Sequence, residues 1–215
     1  MKSFLILGLS TFGQHLCAEL NKAGCDVMIA DSDPAVVEMC MADSVSAKIA
    51  DCTDINVLSS FGVSEFDACF VCLGGHFGDA LEITYLLKFE LGAKKVISEI
   101  NRDIEEKFML RNGADKTVYP EKDMAGRVAV SESSDKIFDA VSIADGFSVF
   151  EISVPEQWLG KSLRELNIRA KHNISVIAVI KDGKPEPVVS PDAVFKKNEH
   201  LMLLGKNTDI KKLIK

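Results

Sequence analysis

Residues 4–20 read FLILGLSTFGQHLCAEL. An apolar run of strand length passes through a glycine turn into a stretch where Leu16 and Leu20 fall one helical turn apart. This opening constrains the chain more than any other feature. A strand feeding a helix, with another apolar strand at Asp26–Ala30, requires a crossover connection and therefore a parallel sheet. Val27, Met28 and Ile29 are apolar together, as expected for a strand covered on both faces.

The turn itself is Gly8-Leu9-Ser10-Thr11-Phe12-Gly13, the spacing G-x-G-x-x-G with serine at the middle position. A helix N-terminus presents unpaired amides and partial positive charge, so it binds phosphate. Gly8 would supply the tight turn and Gly13 the close approach of helix to strand. The amides around Ser10, Thr11 and Phe12 would grip the phosphate. The Ser10 hydroxyl would either crowd the phosphate or donate to it. Asp31 follows Gly8 by 23 positions, with Ser32 beside it, where an acid on a ribose hydroxyl is expected. A carboxylate there also repels a 2′-phosphate. In the purely structural alternative, the glycines only shape the turn and Asp31 caps the next helix.

Strand and helix continue to alternate. Strands are expected at Ser46–Ala50, Ala68–Leu73, Lys95–Ser98 and Lys116–Tyr119, and helices from Pro34, Thr53, Asp79, Asp103 and Glu121. The fold class is α/β, a Rossmann-type doubly wound parallel sheet over 1–130, with right-handed crossovers. Asp51-Cys52 after the third strand and Gly74-Gly75 after the fourth end at the same sheet edge, where ligands bind in open α/β sheets. Asp51 reads equally well as a helix cap. Residues 131–146 are polar and loosely patterned, and read as a linker or interdomain helix. From 147 to 215 the texture is that of a small α+β domain, with Asp182-Gly183 as a hairpin turn.

A formal charge of −7 disfavours nucleic acid as a partner. No apolar run reaches spanning length, and Met1-Lys2-Ser3 leads straight into the first strand without a signal-peptide pattern. Cys69 and Cys72 have C-x-x-C spacing, but in a strand such residues face opposite sides, so buried reduced thiols are expected. His15, His76, His172 and His200 are isolated from nucleophiles and acids at any motif spacing, and only His76 falls near the proposed crevice. A ligand-driven sensor therefore reads better than an enzyme. The alternative is an NAD-dependent oxidoreductase of unknown substrate, and a third reading is a nucleotide-binding signalling module.

The segments LILGLSTFG, VMIADSDP, ADCTDINVLSSFGV, FVCLGG and NGADKTVYPEKDMAGRVA, followed by LGKSLRELNIRAKHNISVIAVIKDG and SPDAVFKKNEHLMLLG, cover nearly the whole chain. Together they resemble the RCK (KTN) family, the TrkA-N plus TrkA-C cytosolic regulatory subunits of Ktr/Trk-type potassium uptake systems. The resemblance implies an RCK-N domain binding ADP, ATP or NAD(H), and an RCK-C domain. It implies a homodimer assembling into an octameric ring beneath a membrane potassium-translocating subunit, hence a cytoplasmic place at the inner face of the plasma membrane. It places Glu121 near the nucleotide phosphates and a Mg²⁺ or Ca²⁺ ion, with a helix-capping role as the alternative. It places a second ligand, cyclic di-AMP, at Ile168, Arg169, Asn173 and Pro191. Thr11 stands where members that distinguish ATP carry a basic residue, and Ser10 replaces a glycine.

Overall fold

A computed structural model describes residues 1–144, 146–187 and 189–214. Asp145, within the expected connecting segment, lies outside them. The chain forms two compact units, Met1–Glu121 and Lys122–Lys215.

The first unit is built on strands β1 (Ser3–Leu7), β2 (Asp26–Asp31), β3 (Ser46–Ile49), β4 (Ala68–Val71), β5 (Val96–Glu99) and β6 (Lys116–Val118). They form one sheet of order β3-β2-β1-β4-β5-β6, with every pairing parallel. This is the classical doubly wound order, and the strand sequence reverses between β1 and β4. The helices are α1 (Thr11–Lys22), α2 (Pro34–Cys40), α3 (Ile55–Ser59), α4 (Phe77–Tyr85) and α5 (Asp103–Arg111), with α4 prolonged by a π-helical turn at Leu86–Glu90.

Successive residues of the central strands enter opposite cores. Leu5, Leu7, Cys69 and Val71 join one cluster, whereas Ile6, Val27, Ile29 and Cys72 join the other. Both faces are covered, which is why these strands are continuously apolar. Cys69 and Cys72 therefore lie on opposite faces of the sheet. All six cysteines are free thiols, and burial alone pushes Cys69 up to about 12.

The second unit takes in α6 (Pro120–Ser131) after its first residues, then β7 (Ile137–Ala144), β8 (Phe147–Ser153), α7 (Leu163–Leu166), α8 (Ile168–His172), β9 (Ser175–Lys181), β10 (Lys184–Glu186), β11 (His200–Lys206) and α9 (Asn207–Ile214). Its sheet has the order β10-β9-β11-β8-β7 and is antiparallel throughout. Phe150, Ile152, Trp158, Ile168, Phe195, Leu201, Leu203 and Ile210 form its core.

The segment expected as a connector thus contains a paired strand. Only Ile137 and Ala140 of β7 are buried, and its register with β8 shifts twice, at Ile137/Asp139 and at Ser142/Ala144. Those irregularities erase the two-residue alternation that would have disclosed it. Helix α8 was also missed. It is one short turn bounded by Asn167 and Asn173, both in the left-handed conformation, and carries too few residues for a helical period.

Candidate functional site

The first turn is shaped by contact as much as by conformation. Gly8 has φ +82°, and a Cβ there would sit 2.5 Å from the Cys72 carbonyl oxygen and from the Leu73 side chain. A Cβ on Gly13 would lie 2.9 Å from both the Cys72 Cβ and the Gly8 carbonyl oxygen. Real Cβ atoms do not approach so closely, so glycine is required at both places. These contacts let α1 start directly above β1 and β4.

The amides of the turn can be accounted for one by one. Gly8 N–H donates to the Ala30 carbonyl at 2.9 Å, and Ser10 N–H to the Cys72 carbonyl at 3.1 Å. Leu9 N–H donates to Asp31 Oδ2 at 2.6 Å. Gly13 N–H donates to Ser10 Oγ at 3.2 Å, and Gln14 N–H to the Ser10 carbonyl at 2.9 Å. Among the described residues the N–H groups of Thr11 and Phe12 find no acceptor. They are the orphan donors of the α1 terminus, free for an anion.

Asp31 closes β2 with both carboxylate oxygens engaged, Oδ2 by Leu9 and Oδ1 by the Asp33 amide at 2.9 Å. Each oxygen keeps a second lone pair for a ligand hydroxyl. The cap of α2 is Asp33, whose Oδ1 accepts from Ala35 N–H at 2.8 Å. A cavity of about 80 Å³ gathers Gly8, Asp31, Ser32, Asp51 and Cys52 with Thr53, Leu73 and Asp79. Asp51 accepts from the Thr53 amide at 2.9 Å and the Thr53 hydroxyl at 2.6 Å, and these bonds hold its carboxyl below the usual range. The cap of α3 is Asp54, so the helix-cap alternative for Asp51 is corrected. Burial pushes the Cys52 thiol up to about 12, which leaves it inert. Gly74 turns the chain after β4 with φ +57°, and Gly75 follows it in the same loop. His76 flanks the N-terminus of α4, exposed, 3.8 Å from Asp79.

The sequence reading missed Glu99. It ends β5, is only 5 % exposed, and its Oε2 accepts from Ser10 Oγ at 2.7 Å and from Gly74 N–H at 3.4 Å. Burial raises its carboxyl above the usual value, Ser10 and Gly74 oppose that, and the charge of Glu121 adds to it. The Ser10 hydroxyl carries one proton and donates it to Glu99. With that proton committed to Glu99, Ser10 Oγ would have to leave this bond to donate to a phosphate. An acid at the carboxyl end of β5, next to β4 in the sheet, was the available signal, but the partners lie 89 residues apart. Glu121, in the first turn of α6, reaches the crevice through its charge on Glu99. Among the described residues no group of three or more His, Cys, Asp or Glu side chains converges on a metal position.

In the second unit, Ile168, Arg169 and Pro191 line an open cavity of about 420 Å³ together with Arg164, Asn167 and Ile174. Asn173 ends α8 beside that lining. Ile168 is 2 % exposed, so most of its side chain belongs to the core. Arg164 is engaged by Asp192 at 2.8 Å. Arg169 is exposed and makes no ion pair among the described residues.

Comparison with known proteins places these observations in a lineage. Residues 4–120 match the TrkA-N domain and residues 149–215 the TrkA-C domain. The Ktr system potassium uptake protein C of Bacillus subtilis (strain 168) is 35% identical over 216 residues, covering 100% of this chain and 96% of that protein. The Ktr system potassium uptake protein A of the same organism is 28% identical over 211 residues, covering 98% and 95%. Among solved structures, the GsuK channel bound to NAD superimposes with a TM-score of 0.69 at 17% identity. It covers 100% of this chain, which spans only 39% of that one. No helix among the described residues is long and apolar enough to cross a membrane.

Proposed function

The chain belongs to the TrkA-N/TrkA-C (RCK) family, and on that premise we propose that it is the nucleotide-binding regulatory subunit of a membrane potassium-uptake system. The observation that carries this reading is the pairing, along one chain, of both family domains with the open α1 terminus. The amides of Thr11 and Phe12 are free there, and Asp31 stands at the tip of the neighbouring strand. These groups fit a nucleotide. Gly8 and Gly13 let the turn close on Cys72 and Leu73, where a Cβ would collide, so that the two free donors at the α1 terminus stand over the strand ends, and Asp31 retains lone pairs for ribose hydroxyls. The adenosine half would lie against Ser32, Asp51 and Cys52, with Gly74 and Gly75 on the far side of the turn. The NAD on the structurally similar GsuK channel accords with a ligand of this class.

The role is regulatory rather than catalytic. A ligand that contacts two conformations of an assembly unequally shifts their populations, and transport follows the population. The working form would be a homodimer assembled into an octameric ring, in the cytoplasm against its transporter. Glu121 would meet a divalent cation only if ligand phosphates complete the coordination shell. Arg169 and Pro191, with Asn173 and the exposed edge of Ile168, would receive cyclic di-AMP in the second cavity, where Arg169 supplies an uncommitted guanidinium for phosphate.

The test joins the reaction-free and the functional readouts. Mass spectrometry of the purified protein is expected to find an adenine nucleotide. Potassium uptake by cells carrying the transporter is expected to respond to Asp31→Ala. An uptake rate indifferent to the variant, with no nucleotide bound to the wild-type chain, would overturn the reading.

A further inference from the structure

We propose that Glu99 sets the ligand preference of the crevice, excluding the extended phosphate chain of a nucleoside triphosphate and leaving a dinucleotide of low net charge as the favoured class. The inference rests on the nucleotide reading above. It starts from a count of donors. On the β5 side of the turn, the Ser10 hydroxyl and the Gly74 amide would face a distal phosphate, and both already donate to Glu99 Oε2, at 2.7 and 3.4 Å. The carboxylate occupies the role that a third phosphate would need. At the mouth of α1, among the described residues, the Thr11 and Phe12 amides stay free, enough for one pyrophosphate.

Charge points the same way. Asp31, Asp51 and Asp79 line the cavity, no lysine or arginine is among its lining residues, and the charge of Glu121 acts on Glu99 at the β5 side. A triphosphate brings more negative charge into this acidic field than a dinucleotide does. A nicotinamide dinucleotide brings two phosphate charges and, when oxidised, a positive ring to set against the acids. Glu99 is also buried, where salt screens a like charge less than it does at the surface.

Equilibrium binding of NAD⁺ and of ATP, each titrated calorimetrically into the full chain in EDTA-containing buffer, tests the idea with Glu99→Gln as the variant. Glutamine keeps the shape and can still accept from Ser10 and Gly74, so it reads the charge alone; Glu99→Ala also frees both donors and is expected to narrow the ratio further, an unchanged ratio in it counting against the donor argument. Wild type is expected to prefer NAD⁺. E99Q is expected to narrow the NAD⁺-to-ATP preference by about tenfold or more, a change of about 1.4 kcal/mol. A ratio that stays put, or two affinities that fall in parallel, would overturn the proposal. If E99Q does not unfold cooperatively, Glu121→Gln carries the same comparison, with a smaller shift in the same direction expected and no shift counting against it. A wild-type chain that binds neither compound overturns the nucleotide reading itself, a result distinct from a chain that binds both with an unaltered ratio.

Discussion

Two residues of the opening turn hold their positions by opposite means. Gly13 is there because anything larger collides with Cys72 and with the Gly8 carbonyl, each 2.9 Å from where a Cβ would stand. Backbone and a buried strand end cannot move aside cheaply, so Gly13→Ala should lift α1 from the sheet. It is expected to lower stability by about 1–3 kcal/mol, read by urea unfolding, and to displace the Thr11 and Phe12 amides, read as lost nucleotide affinity. Glu99 is there despite its surroundings. Its folded carboxyl is raised above the ordinary value of 4.5, burial being the largest cause, and Glu121 opposes its ionisation further. A raised acid contributes stability fully below its unfolded pKa, and that contribution is lost as pH rises through the folded value. E99Q should therefore be more stable than wild type at neutral pH. The gap in thermal midpoint should narrow as pH falls through the raised folded value and be closed once pH is below about 4.5, the unfolded value. A gap independent of pH would show that Glu99 is not ionised at a cost.

At the scale of elements, the sequence discloses what is locally periodic and hides what is paired at a distance. Helix α5 begins at Asp103 and ends at Arg111, both ends readable from the acids of its first turn and from the Asn112-Gly113 stop. Strands β1 and β2 are readable because both faces are covered. Strand β7 is not, since Phe138, Val141 and Ile143 are exposed while its buried residues follow a shifted register. The site divides in the same way. Gly8, Gly13 and Asp31 have fixed spacings along the chain, whereas the bond from Ser10 to Glu99 exists only once β4 and β5 are laid beside β1. The β9–β10 hairpin is a local feature of the readable kind. Asp182 and Gly183 both have positive φ, 48° and 74°, as a two-residue turn of the primed type demands. Gly183→Val forces a branched side chain into that region and should cost about 1–2 kcal/mol. Because β10 is a short exposed strand at the sheet edge, the loss should stay local. Nucleotide affinity is expected to remain at its wild-type value, and a large change in it would contradict the assignment of the ligand to the first unit.

At the scale of the whole molecule, each unit owns a hydrophobic core. Two clusters sandwich the parallel sheet within Met1–Glu121, and a third fills Lys122–Lys215. Every group assigned to the nucleotide, from Gly8 to Glu121, lies in the first unit, so binding energy should be delivered there. A ligand that binds only the folded state adds RT ln(1 + [L]/Kd), about 2.7 kcal/mol at one hundred times its Kd. A segment of residues 1–121 is long enough to close its own core. It should unfold cooperatively and gain the same increment from NAD⁺ as the first unit does in the intact chain. Calorimetric melting of the segment and of the full chain, with and without NAD⁺, checks both statements. Asp31→Ala should remove most of the increment in each, because the variant loses the carboxylate proposed for the ribose and also the acceptor that fixes Leu9 in the turn. An increment present in the full chain but absent from the segment would mean that the second unit helps to build the site, and the crevice at α1 would then be only part of it.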